Sequence, residues 1–164
     1  MGIWEWRWVI GDWGFVTGWE SELGSKNVAV VESMGEERII RSFEDLECWK
    51  AGRDVRLFVA KVILPVLPKE ERYRLGDQLL RAARSITANI AEGYGRFHFL
   101  DAAKFLSNAR GSVWEVLDHL ITAQDEGLIT SGLLTEGRAK IETCVKLTNG
   151  YMNYLKRRAA SDPA

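Results

Sequence analysis

Cysteine, histidine and proline are scarce in this 164-residue chain, which has two, two and three of them. Cys48 and Cys144 stand far apart and belong to no C-x-x-C or Cys/His cluster, which excludes a zinc knuckle or a redox motif and points to a reduced, cytoplasmic compartment. Charge of one sign is also missing. With 22 basic and 23 acidic side chains the net charge is -1, so any contact with nucleic acid must rest on local patches. No apolar run approaches the roughly 18 residues of a membrane span. The amino terminus lacks the basic start and continuous apolar centre of a signal peptide. Trp6 stands where an N-myristoylation motif wants Ser or Thr. The chain reads as soluble, with no membrane partner.

Catalytic groupings are equally sparse. A di-iron bundle needs Glu-x-x-His twice plus two further glutamates. Here Glu115 and His119 are one helical turn apart but occur once, and His98 falls in a turn. Gly93-Tyr94-Gly95 follows a helix rather than a strand and lacks the third glycine of a dinucleotide fingerprint. No serine or cysteine has a histidine placed as a general base in a recognisable pattern. The sequence therefore predicts no enzyme, no catalytic residue, no metal and no cofactor.

What is present divides near Ser42. Residues 1–42 hold four basic and seven acidic side chains, six glycines and five of the seven tryptophans, without a sustained helical period. Residues 1–41 are expected to be a tryptophan-rich, poorly structured extension outside the fold, whose tryptophans form a partner-docking or membrane-surface patch or simply a loosely attached tail. In a sharper version, translation starts at Met34 and residues 1–33 precede the natural chain. Residues 42–158 read as amphipathic helices and residues 159–164 as a short tail.

Ser42-Phe43-Glu44-Asp45 resembles a capping box opening a first helix. Its apolar positions Leu46, Trp49, Val55, Phe58, Val59, Val62 and Ile63 carry it to about Leu64, where Pro65 and Pro68 are expected to end it. A second helix shows one apolar stripe, Leu75, Leu79, Ala82, Ala83, Ile86 and Ile90, and ends at Gly93 and Gly95. A third spans about Leu100 to Glu126, with Gly127 as its left-handed cap. A fourth carries Leu134, Ile141, Val145, Thr148, Met152 and Leu155, weakened by Gly132, Gly137 and Gly150 at roughly 1 kcal/mol each relative to alanine. Four helices with short turns and no strand pattern between them imply an all-α, up-and-down antiparallel four-helix bundle.

Beside the apolar stripe of the second helix runs a polar one of Gln78, Arg81, Ser85, Asn89 and Glu92. It reads first as a structural hydrogen-bond network, with Arg81 paired to Glu92 or to a carboxylate of the third helix. The alternative is a face toward nucleic acid or a partner chain. Cations gather nearby: Lys69, Arg72 and Arg74 before this helix, Arg81 and Arg84 on it, Arg96, Lys104 and Arg110 after it, and Lys156-Arg157-Arg158 at the end of the last. They are a suggestive surface for phosphates, though soluble helices carry such cations anyway.

The wording of the helices is itself recognisable. Phe43-Glu44-Asp45-Leu46-Glu47-Cys48-Trp49, Pro68-Lys69-Glu70-Glu71-Arg72-Tyr73 and Gln78-Leu79-Leu80-Arg81-Ala82-Ala83-Arg84-Ser85-Ile86 come first. Asn89-Ile90-Ala91-Glu92-Gly93-Tyr94-Gly95-Arg96 and Phe105-Leu106-Ser107-Asn108-Ala109-Arg110-Gly111-Ser112 follow, with Glu115 after them. Together these resemble the bacterial four-helix-bundle family named for proteins encoded in intervening sequences of large-subunit (23S) ribosomal RNA genes. The resemblance runs over roughly residues 42 to 158. It implies a non-catalytic homo-oligomer, pentamers being known in the family. A relationship to the accessory proteins of diversity-generating retroelements implies association with RNA or DNA through a basic surface. By that carry-over Arg72, Arg81, Arg84, Arg96, Lys104 and Arg110 are the nucleic-acid-binding candidates. Phe97-His98-Phe99-Leu100 departs from the polar or basic residues often found there, and Lys50 stands where glutamine commonly follows the tryptophan. The competing expectation is a protein-interaction scaffold without nucleic-acid binding, docking through Phe97 to Leu100 and the tryptophan-rich tail.

Overall fold

The computed structural model describes residues 29–33 and 36–161. The chain divides into two units, residues 1–42 and 43–164. Within the first, strands β1 (Ala29–Ser33) and β2 (Glu36–Ile40) pair antiparallel, with Ser33 opposite Glu36 and Ala29 opposite Ile40. These ten residues are the part of the expected extension, up to Ile40, that forms regular structure among the described residues. The tryptophan cluster lies outside the described residues.

The second unit is an up-and-down antiparallel four-helix bundle. Its long helices are α1 (Glu47–Phe58), α4 (Leu75–Tyr94), α5 (Phe99–Asp125) and α6 (Ser131–Ser161). Each packs on the next, and α6 closes the ring on α1, the tightest pairings being α4 with α5 and α5 with α6. The period of 3.6 places the apolar stripes inward. Leu79, Ile86 and Ile90 of α4 meet Leu106, Val113 and Leu120 of α5 and Ile141 of α6 in a core sealed from solvent.

The start and end of the first helix differ from the expectation. Phe43–Asp45 forms a short 3-10 turn, and α1 begins at Glu47 with Leu46 as its N-cap and no side-chain cap, so Ser42 does not cap it. Nor does Pro65 stop the chain's helical course. After α1 the backbone widens into a π-turn over Val59–Ile63, in which Leu64 N–H donates to the carbonyl of Val59, and a last turn, α2 (Leu64–Val66), carries Pro65 in its first positions. A proline near a helix start removes a donor that has no partner there, so the π-turn lets the run go on to Leu67. The short α3 (Lys69–Arg72) then leads into α4. Gly127 behaves as expected. At φ 71° it lets Leu128 N–H reach the Ala123 carbonyl at 2.8 Å and its own N–H reach Gln124 at 3.0 Å, the paired bonds that close a helix end.

Glycine sets the helix spacing. A Cβ at Gly52 would lie 2.8 Å from Ile86 Cγ2 of α4, and one at Gly137 would lie 2.7 Å from Leu120 Cδ1 and 3.1 Å from Phe58 Cε1. Gly137 therefore helps α6, which stays one unbroken helix despite three glycines, to nest against α1 and α5. Gly150 has nothing within 4 Å of such a position. Gly137→Ala should accordingly destabilise the bundle by about 1–3 kcal/mol through overpacking. Gly150→Ala should stabilise it by about 0.5–1 kcal/mol. Urea unfolding followed by circular dichroism distinguishes the two.

Candidate nucleic-acid interface

The polar stripe of α4 divides into a seam and a surface. Ser85 and Asn89 are half-buried against α5: Asn89 Nδ2 donates to the Ser85 carbonyl and to Ser85 Oγ, both at 2.9 Å. Ser112 Oγ of α5 lies 2.9 Å from Ser85 Oγ and 3.3 Å from the Asn108 carbonyl, so hydroxyls hold the two helices together beside the core. Gln78, Arg81 and Glu92 are exposed. Arg81 pairs with neither Glu92 nor α5. Its Nε lies 3.3 Å from Asp77 Oδ2, one turn earlier on α4, and that carboxylate is 57% exposed. Glu92 takes Arg96 instead.

The six candidate cations do not gather into one patch. Arg72 donates from Nε to the Leu67 carbonyl at 3.0 Å and from Nη2 to the Pro65 carbonyl at 2.8 Å, closing the turn after α2. Arg96 pairs with Glu92 and covers the Phe105 ring at 4.4 Å, while Lys104 pairs with Asp101 at 3.0 Å. That hydrogen bond and charge from Lys104 hold the Asp101 carboxyl below the usual range. These two groups sit at the opposite end of α4 from Arg72, about 30 Å away for a 20-residue helix. Arg110 is half-buried and donates to Asn149 Oδ1 of α6 at 3.2 Å. Arg84 alone of the six makes neither ion pair nor hydrogen bond through its side chain among the described residues.

One arginine of α1, outside the sequence-derived set, reaches the turn that carries it, and a second stands one helical turn away. Arg56 Nη1 reaches across to Thr87 Oγ1 at 3.3 Å, and Thr87 Oγ1 donates to the Arg84 carbonyl at 3.2 Å. Arg53 stands exposed one turn before Arg56. The signal was present in the spacing of Arg53 and Arg56 at i and i+3 next to Gly52, but only the pairing of α1 with α4 shows which cations they join.

The chemistry left inside the bundle is inert. Burial pushes the Cys144 thiol up to about 11, with the Thr148 hydroxyl pulling the other way, and burial pushes Cys48 higher still. Both stay protonated at neutral pH, as buried thiols in apolar surroundings do. His119 lies 3.8 Å from Glu115, and no group of three or more metal-ligating side chains occurs among the described residues. No helix among them is long and apolar enough to cross a membrane.

A family model described as 23S rRNA-intervening sequence protein matches residues 44–150. The chain belongs to this family. The comparison with curated proteins found no match. The matched span runs from the 3-10 turn before α1 into α6, and so takes in the polar seam, all six candidate cations and the α1 arginines.

The seam and the surface pair should respond differently to substitution. A double-mutant cycle of Ser85→Ala and Ser112→Ala should return a coupling of about 1 kcal/mol in unfolding free energy. Arg81→Gln should change stability by no more than about 0.5 kcal/mol, because its ionic partner among the described residues, Asp77, is already hydrated. A loss of several kcal/mol would mean that Arg81 neutralises a buried charge.

Proposed function

We propose that the protein is a non-catalytic accessory bundle that self-associates and holds RNA or DNA through its α1–α4 half. Membership of a family named for a ribosomal RNA intervening sequence supports a non-catalytic role linked to RNA. The observation that carries the nucleic-acid reading is a charge asymmetry the whole-chain balance conceals. Residues 47–96, which build α1 to α4, carry ten basic and six acidic side chains, a net +4. Residues 97–161, which build α5 and α6, carry eight basic and seven acidic, a net +1, with Lys156, Arg157 and Arg158 grouped at the end of α6. The α1–α4 half is thus the more cationic surface for a phosphate backbone, while α5 and α6 are nearly balanced apart from the basic end of α6.

A second reading rests on the α4–α5 turn. Phe97 is 86% and Leu100 59% exposed, and apolar side chains so presented suit docking of a protein partner. The two readings part on salt. Each phosphate neutralised on duplex DNA contributes about 0.9 to the slope of log affinity against log salt, so three contacts weaken binding about 40-fold between 50 and 200 mM. Fluorescence anisotropy with a labelled DNA duplex and a structured RNA should show that decline. Absence of binding to either at ~50 mM salt would leave the protein-docking reading in its place.

A further inference from the structure

We infer that Arg53, Arg56 and Arg84 form a phosphodiester clamp across the α1–α4 groove, the point at which the cationic half grips a nucleic-acid strand. The inference rests on the nucleic-acid reading above and gives it a location that the sequence-derived candidates do not.

Close helix approach builds the clamp. Gly52 lets α1 press against Ile86 and Thr87 of α4, where a Cβ would sit 2.8 Å from the isoleucine. At that separation Arg56 spans the groove to Thr87, whose hydroxyl is in turn bonded to the Arg84 carbonyl. The Arg56 guanidinium therefore lies against the turn of α4 that carries Arg84. Arg53 follows on the same side of α1, about 4.5 Å along its axis.

Nothing on these two helices neutralises the three cations. Their four carboxylates are all engaged with other bases: Glu47 with Lys50 at 2.7 Å, Asp54 with Lys140 of α6 at 3.0 Å, Asp77 with Arg81, and Glu92 with Arg96. Arg53 and Arg84 make no ion pair or side-chain hydrogen bond among the described residues, and Arg56 has only the neutral Thr87 hydroxyl. Like charges set together in this way repel unless an anion joins them. A guanidinium's planar donors fit phosphate oxygens better than any other anion a strand displays. The occupant is a strand rather than an apolar partner. The large exposed apolar side chains of the described residues lie elsewhere: Val62, Val66 and Tyr73 toward the α1–α4 turn, Phe97 and Leu100 at the α4–α5 turn, and Trp114 on α5.

The test compares two charge-matched double variants of the full chain, Arg53→Gln/Arg84→Gln and Arg138→Gln/Lys146→Gln. All four side chains are exposed, so helicity should be retained in both. With the same DNA duplex, the first should lower the salt slope by about 1.8, and the second should leave it within about 0.5 of the wild type. Adding Arg56→Gln to the first should take the loss to about 2.7. An unchanged slope in Arg53→Gln/Arg84→Gln, or equal losses in both doubles, overturns the clamp while leaving nucleic-acid binding intact. A wild type that binds no nucleic acid at ~50 mM salt removes the broader reading and the clamp together. If light scattering shows that Arg53→Gln/Arg84→Gln changes the mass of the assembly without changing the slope, the face is a contact between copies and the clamp is wrong.

Discussion

Everything in this bundle depends on how closely its helices can approach. A Cβ at Gly52, Gly93 or Gly137 would meet neighbouring atoms at 2.7–3.1 Å, and those three glycines lie on α1, α4 and α6. Where glycine faces a large residue, such as Gly137 against Leu120 and Phe58, each long side chain fills the space its partner leaves. The same closeness decides what happens outside the core. It lets the hydroxyls of half-buried Ser85 and buried Ser112 meet across α4 and α5, and it brings Arg56 of α1 to the rim of α4. Core packing and surface electrostatics are two consequences of one spacing.

The distribution of ion pairs gives that surface its character. Most pairs are short-range, at i and i+3 or i+4 on exposed helix faces, and contribute little to stability. Their effect is selective neutralisation. Arg81 and Lys104 are each tied to a carboxylate on their own helix, Arg96 just beyond α4 is tied to Glu92, Arg72 is spent on the carbonyls of a turn, and Arg110 holds α6. Of the six sequence-derived candidates this leaves Arg84 uncompensated, with Arg56 of α1 bonded to the Thr87 hydroxyl of the next turn. A net charge of -1 for the chain conceals this, because residues 1–46 carry four basic and nine acidic side chains. Association with a polyanion is governed by such local fields rather than by the total.

Much of the fold was legible in the residues. The stripe from Leu75 to Ile90 has a period only a helix satisfies, and all six of its members are buried. Gly127 announced its left-handed cap because it follows a long apolar-periodic run. Other features were hidden for physical reasons. Pro65 reads as a helix stop, and only the π-turn upstream of it lets the helix continue. The strands at Ala29–Ser33 and Glu36–Ile40 are short, and their β-branched residues were overshadowed by the glycines and tryptophans around them. The site was less legible still. Arg84 could be named from sequence, but its company could not. The bond from Arg110 to Asn149, and the one drawing Asp54 to Lys140 across 86 positions, exist only once the helices are packed.

The location of the cationic contact is the claim on which the account turns, and chemical protection of arginines reads it directly. With a saturating structured RNA or DNA duplex bound, the assembled protein would be treated with phenylglyoxal and the modified arginines counted by mass spectrometry. Arg53 and Arg84 should be strongly protected, while Arg138 and Arg157, exposed on α6, should react as in the unbound protein. Protection of Arg138 or Arg157 with Arg53 and Arg84 still reactive would contradict the account, because nucleic acid would then lie on the α6 side of the bundle.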